Sequence, residues 1–129
     1  MSAPANGTEI GAYSINMGFP ASVPLGADKP KQTDFDSREL TGDLATSYPA
    51  DHLIFVPVQN NGDKMYSLPG GSILTYAACA GATVTSTQAD SAAGTAFCVS
   101  APGRMIGVKV TSVVPRQYAV LSVTVWQNI

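Results

Sequence analysis

This chain has little charge. Of 129 residues only 12% are Asp, Glu, Lys or Arg, about half the usual share of ~25%. A free-standing soluble monomer normally covers itself with these side chains, which keep surfaces apart. Here Ser, Thr, Ala, Gly and Asn take their place, a composition suited to lasting contact with other protein. The net charge is −2 and the seven basic residues are scattered from Lys29 to Arg116. No basic stripe exists to neutralise phosphates, so nucleic acid is not an expected partner.

Other absences narrow the choice further. No run approaches the ~20 apolar residues of a membrane helix, so no membrane partner is expected. The opening Met1-Ser-Ala-Pro-Ala-Asn lacks a basic segment followed by an apolar one, so no secretory signal is expected, and synthesis and retention in a cytoplasm are. One histidine, His52, and two cysteines give too few ligands for a zinc site. His52 follows Asp51, but no G-x-S-x-G elbow accompanies it, and a structural role is the better expectation. Gly70-Gly71 is not part of a G-x-x-x-x-G-K-[ST] loop. Asp34, Asp36, Glu39 and Asp43 depart from calcium-loop spacing, which favours a solvated acidic loop or a contact for a basic partner. No cofactor and no enzymatic activity are expected.

What is present reads as β structure. Residues 1–50 hold five of the nine prolines and no sustained periodicity of 3.6 or 2. Proline fixes φ and removes a donor, so this region is expected to be an extended N-terminal arm with loops, anchored by apolar residues such as Ile10, Tyr13, Ile15, Met17 and Phe19. Asp36-Ser-Arg-Glu39-Leu40 could cap one helical turn. Residues 51–129 are expected to form the compact domain. Leu53–Val58 is an apolar run whose Pro57 marks an edge or bulge. Asn61-Gly62 predicts a hairpin returning through Met65–Leu68. Ser72–Cys79 is then expected as a strand, and Thr83-Val-Thr-Ser-Thr87 as another. The predicted fold is mainly β, an antiparallel sandwich or barrel of about 6–8 strands with little helix.

The C-terminal hairpin can be placed in register. Ile106, Val108 and Val110 share one face of Arg104–Val114, and Leu121, Val123 and Val125 share one face of Gln117–Gln127. Centring the turn on Pro115-Arg116 pairs Ile106 with Val125, Val108 with Val123 and Val110 with Leu121, so apolar faces coincide. The same register sets Met105 opposite Trp126, Lys109 opposite Ser122, Thr111 opposite Val120 and Val113 opposite Tyr118. That second face should be polar if it met water. Either the arm or a second sheet covers it, or it meets another subunit. Tyr13, Phe19, Met105, Tyr118, Val120 and Trp126 are therefore the candidate interface residues. A hairpin turning near Gln88-Ala89 would also bring Cys79 opposite Cys98. Without a secretory signal the pair is expected as two close, reduced, buried thiols with no obligatory bond.

A charge-poor β domain with a proline-containing arm, a small-residue middle and an apolar second face resembles, in general build, the small capsid decoration (cement) proteins of tailed bacteriophages. The resemblance spans the chain and rests on layout and composition. It implies a virion subunit, often a trimer, that clamps neighbouring major capsid proteins, many copies acting together across subunit joints. A tail, neck or fibre subunit or a small coat protein is the alternative within that class. A carbohydrate-binding β-sandwich is the alternative outside it, disfavoured by the single Trp.

Overall fold

The computed structural model describes residues 6–18, 21–26, 28–31, 42–47, 54–58, 64–68, 74–83, 85–86, 88–90, 92–101, 103–114 and 117–128. These form a mainly β protein of two antiparallel sheets and one short helix. The strands are β1 (Glu9–Gly18), β2 (Ser22–Val23), β3 (Leu44–Ser47), β4 (Ile54–Pro57), β5 (Lys64–Ser67), β6 (Thr85–Ser86), β7 (Ala89–Asp90), β8 (Ala96–Ala101), β9 (Arg104–Val114) and β10 (Tyr118–Gln127). The helix α1 (Tyr76–Ala80) lies between β5 and β6. The larger sheet runs β1-β10-β9-β8-β5-β6 and the smaller β2-β3-β4-β7.

Side-chain alternation decides what each sheet buries. On the larger sheet Ile15 pairs with Leu121, Leu121 with Val110, Phe97 with Val108, and Val99 with both Ile106 and Met65. All are buried in one cluster with Val23, Leu25, Leu44 and Phe55 from the other sheet or beside it. The rings of Phe55 and Phe97 stack across the interior at 5.9 Å. Each such side chain contributes roughly 1.5–3 kcal/mol of transfer free energy. The sandwich is the expected fold class.

The C-terminal hairpin has the expected register from Met105/Trp126 through Val110/Leu121. Nearer the turn it differs. The pairing shifts between Val120 and Leu121, so Ser112 meets Val120, Val113 meets Ala119 and Val114 meets Tyr118. Thr111 is the extra residue of a bulge, and its hydroxyl donates to the Val120 carbonyl at 3.1 Å. The Val113/Tyr118 and Thr111/Val120 pairs of the simple register are thus replaced.

Three further expectations are corrected. β4 and β5 belong to different sheets, so they do not form a hairpin about Asn61-Gly62; β4 is buried along most of its length, as suits an inner strand of the smaller sheet. β6 pairs with β5 and β7 with β4, so the chain diverges between sheets where a hairpin near Gln88-Ala89 was expected. Where the strand Ser72–Cys79 was expected to continue, Tyr76–Ala80 is helical instead: the Thr75 hydroxyl accepts from the Ala78 amide at 3.1 Å, and the Ala-rich turn that follows favours helix. Among the described residues, Pro57 pairs with Leu44 of β3, while the β7 pairing covers Ile54 and Phe55.

Residue 50 marks no boundary in the core. β1 is extended, as expected of an arm, but it is a strand of the larger sheet paired along β10. Its Ile15 and Met17, with Val23, Leu25 and Leu44, are core residues. Thr46 fixes the crossing from β1 to β2: its hydroxyl donates to the Gly18 carbonyl at 2.8 Å and accepts from the Ala21 amide at 3.0 Å.

Candidate interaction surface

The second face of the larger sheet divides into a covered half and an open half. At the covered end lie Cys98, Met105 and Trp126, a separate apolar cluster. Leu74, Tyr76 and Cys79 close over it. Tyr76 meets the Trp126 indole edge-on at 6.2 Å and donates its hydroxyl to Asn128 Oδ1 at 2.9 Å. Gly107 is what lets the indole lie flat on the sheet: a Cβ there would come within 2.7 Å of the Trp126 ring and 2.9 Å of Leu74. Trp126 and Met105 are each only 6% exposed. Both sequence-nominated residues are therefore covered by the chain's own fold and offer no surface to a partner.

A disulfide ties this cover down. Cys79 on α1 and Cys98 on β8 are bonded, with Cα atoms 5.6 Å apart. The expected proximity is found, but the expected free thiols are not. The route also differs, since Cys79 reaches Cys98 from a helix packed on the sheet and not across a hairpin. The bond is well placed to matter, because a helix of one turn has almost no stability of its own.

The open half is built by β1, β10 and the turn end of β9. Register places Ala12, Ser14 and Asn16 of β1 beside Thr124, Ser122 and Val120 of β10, with Lys109 and Ser112 of β9 beyond. Ala12, Ser14, Asn16 and Ser112 are exposed. Tyr118, paired with Gly18, is 36% exposed and is the one exposed large hydrophobic residue among those described. Val120 is half-buried. This face is small, neutral and polar apart from Tyr118, Val120 and Lys109.

On the core side of β1, Tyr13 and Arg104 close one end of the sandwich. Arg104 bonds to Asp43 Oδ2 at 2.5 Å and donates from Nε to the Leu25 carbonyl at 2.8 Å. Asp43, only 3% exposed, also accepts from the Leu25 amide at 2.7 Å. The pair thus links β9 to the segments flanking β2 and β3. Tyr13 is half-buried and donates to the Gly26 carbonyl at 2.8 Å. Burial, reinforced by the negative charge of Asp43 against the opposing effect of Arg104, pushes its phenol up to about 12. The arrangement is a structural clamp: the acid is engaged by its cation and by backbone.

Of the six nominated residues, Tyr13 anchors β1 to the interior, Met105 and Trp126 are covered, and Tyr118 and Val120 share the open half. Phe19 lies outside the described residues, as do His52, Asp34, Asp36, Glu39, the turn Asp36–Leu40 and the Asn61-Gly62 and Pro115-Arg116 turns. Ser14 and Asn16, exposed on the open half, were not among the nominated residues. The available signal was the alternation of Tyr13, Ile15 and Met17 with Ser14 and Asn16 between them. Among the described residues no group of three His, Cys, Asp or Glu side chains is placed to hold a metal ion, and no helix is long and apolar enough to cross a membrane. No protein-family model matches the chain, and neither a curated protein nor a solved structure matches it.

Proposed function

We propose that this chain is a virion structural protein, a decoration subunit that binds a capsid lattice noncovalently and stabilises it. The observation that carries the reading is the open half of the larger sheet, where Ala12, Ser14 and Asn16 of the ten-residue edge strand β1 share with Tyr118 and Ser112 a face whose one charge is Lys109. A face without like charges can be laid against many protein neighbours with little desolvation cost. The chain's low overall charge supports the same role. The Cys79–Cys98 bond is compatible with it, since a released particle meets an oxidising medium in which a disulfide persists. The partners on this reading are the major capsid protein and further copies of the chain.

Particles assembled without this chain should come apart at a lower temperature, and adding the purified protein should restore the lost stability. Failure of the protein to bind such particles, or binding that leaves their disruption temperature unchanged, would refute the decoration role.

A further inference from the structure

One edge of the larger sheet is the ten-residue strand β1. Among the described residues the two sheets have four outer strands. Three of them, β2, β6 and β7, are two residues long, and the fourth, β1, has ten. Natural sheets guard long edges with lysine, proline or bulges, because the unpaired N–H and C=O groups of an edge template further pairing. From Ile10 to Gly18 there is no charged residue and no proline. The only irregularity falls at the start, between Glu9 and Gly11. Ala12, Ser14 and Asn16 stand exposed along this strand. Tyr13 and the Thr46 contact to Gly18 hold it in place from behind. An edge already held straight loses little freedom on pairing.

We infer that two copies of this chain pair antiparallel through β1, across a two-fold axis at Ser14, joining their six-stranded sheets into one. The occupant follows from the edge's own chemistry. Ser14 is the midpoint of the uncharged run, so a two-fold there sets Ser14 against Ser14 and Ala12 against Asn16, with no like charges opposed. Glu9 falls beyond the partner's Gly18. Tyr118, beside the bare Gly18, is left to reach over the seam. An isologous contact of this kind closes on itself and yields a dimer, where the family resemblance implied a trimer. The inference is independent of the virion reading: a dimer that ignores capsids would leave it standing.

The test uses the full chain. A single-strand seam falls below the ~1,200–2,000 Å² of stable complexes, so a reversible dimer is expected at about 10–100 µM. Sedimentation velocity should show monomer giving way to dimer across that range. Ser14→Lys, at an exposed site that does not threaten folding, opposes two lysines at the axis and should weaken the dimer at least tenfold, whereas Ser14→Thr should preserve it. Ser14→Cys should give a covalent dimer with oxidised glutathione, because directly opposed Cα atoms ~4.5–5.5 Å apart suit a disulfide. A monomer throughout, a trimer, a dimer indifferent to Ser14→Lys, or a Ser14→Cys protein that does not cross-link would each overturn the inference.

Discussion

Breaking the Cys79–Cys98 bond should cost this protein a large part of its stability. The bonded residues are 19 apart in sequence. Closing a loop of that length removes unfolded-state entropy equivalent to about 3 kcal/mol at 25 °C. Unfolding entropy of roughly 2 cal/mol/K per residue turns this into a fall of about 10 °C in Tm. The assay is thermal unfolding followed by the emission of Trp126, the only tryptophan, which lies under the cover that the bond secures. Wild type should lose about 10 °C on addition of a dithiol reductant. Cys79→Ala/Cys98→Ala should melt near the reduced wild type, slightly lower for its lost sulfur packing, and should ignore the reductant. Circular dichroism should show both sheets intact below the melt, since neither sheet depends on α1 for its pairing. A wild-type midpoint that moves by less than about 2 °C on reduction would refute the reasoning.

Arg104→Met should destabilise by about 2–3 kcal/mol, less than the 3–5 of a fully buried pair because the guanidinium is partly exposed; Asp43→Asn in the same chain should recover part of the loss in a denaturant double-mutant cycle. Absorbance titration should show the Tyr13 phenol ionising near pH 12, and Tyr13→Phe should remove that step. The fold keeps this proton after the unfolded chain, with a value of 10, has lost it, so Tyr13 contributes full stability below pH 10 and loses it as pH rises through 12. Gly107→Ala should cost roughly 1–3 kcal/mol in chemical denaturation and alter Trp126 emission, because its Cβ would meet the indole at 2.7 Å.

The parts of this fold that could be read from the sequence are those in which one strand's pattern constrains another's. Ile106, Val108 and Val110 against Leu121, Val123 and Val125 admit one register, and the structure has it. The Thr111 bulge could not be read, because Thr111–Val114 are all acceptable in either register and only the three-dimensional twist selects one. β1 was legible and was obscured by the prolines around it: Tyr13, Ile15 and Met17 carry a two-residue period. Which sheet a strand joins is not a local property. β4 and β5 look like a hairpin because a hairpin's turn signal lies between them, yet tertiary packing sends them to opposite layers. Thr75 and the Ala-rich turn after it carried a helix start that strand propensity concealed. The candidate surface was half legible. Aromatic residues were sought there, and Trp126 proved to be buried by its own chain, whereas the small neutral residues of β1 gave no hydrophobic signal.

The proposal that this chain clads a capsid lattice is tested most directly by counting it in isolated particles. Quantitative mass spectrometry of particles purified from cells that produce it should find the chain in numbers comparable to those of the main shell subunit. Its absence from particles, or a count of a few copies per particle as for a tail or neck component, would contradict the account.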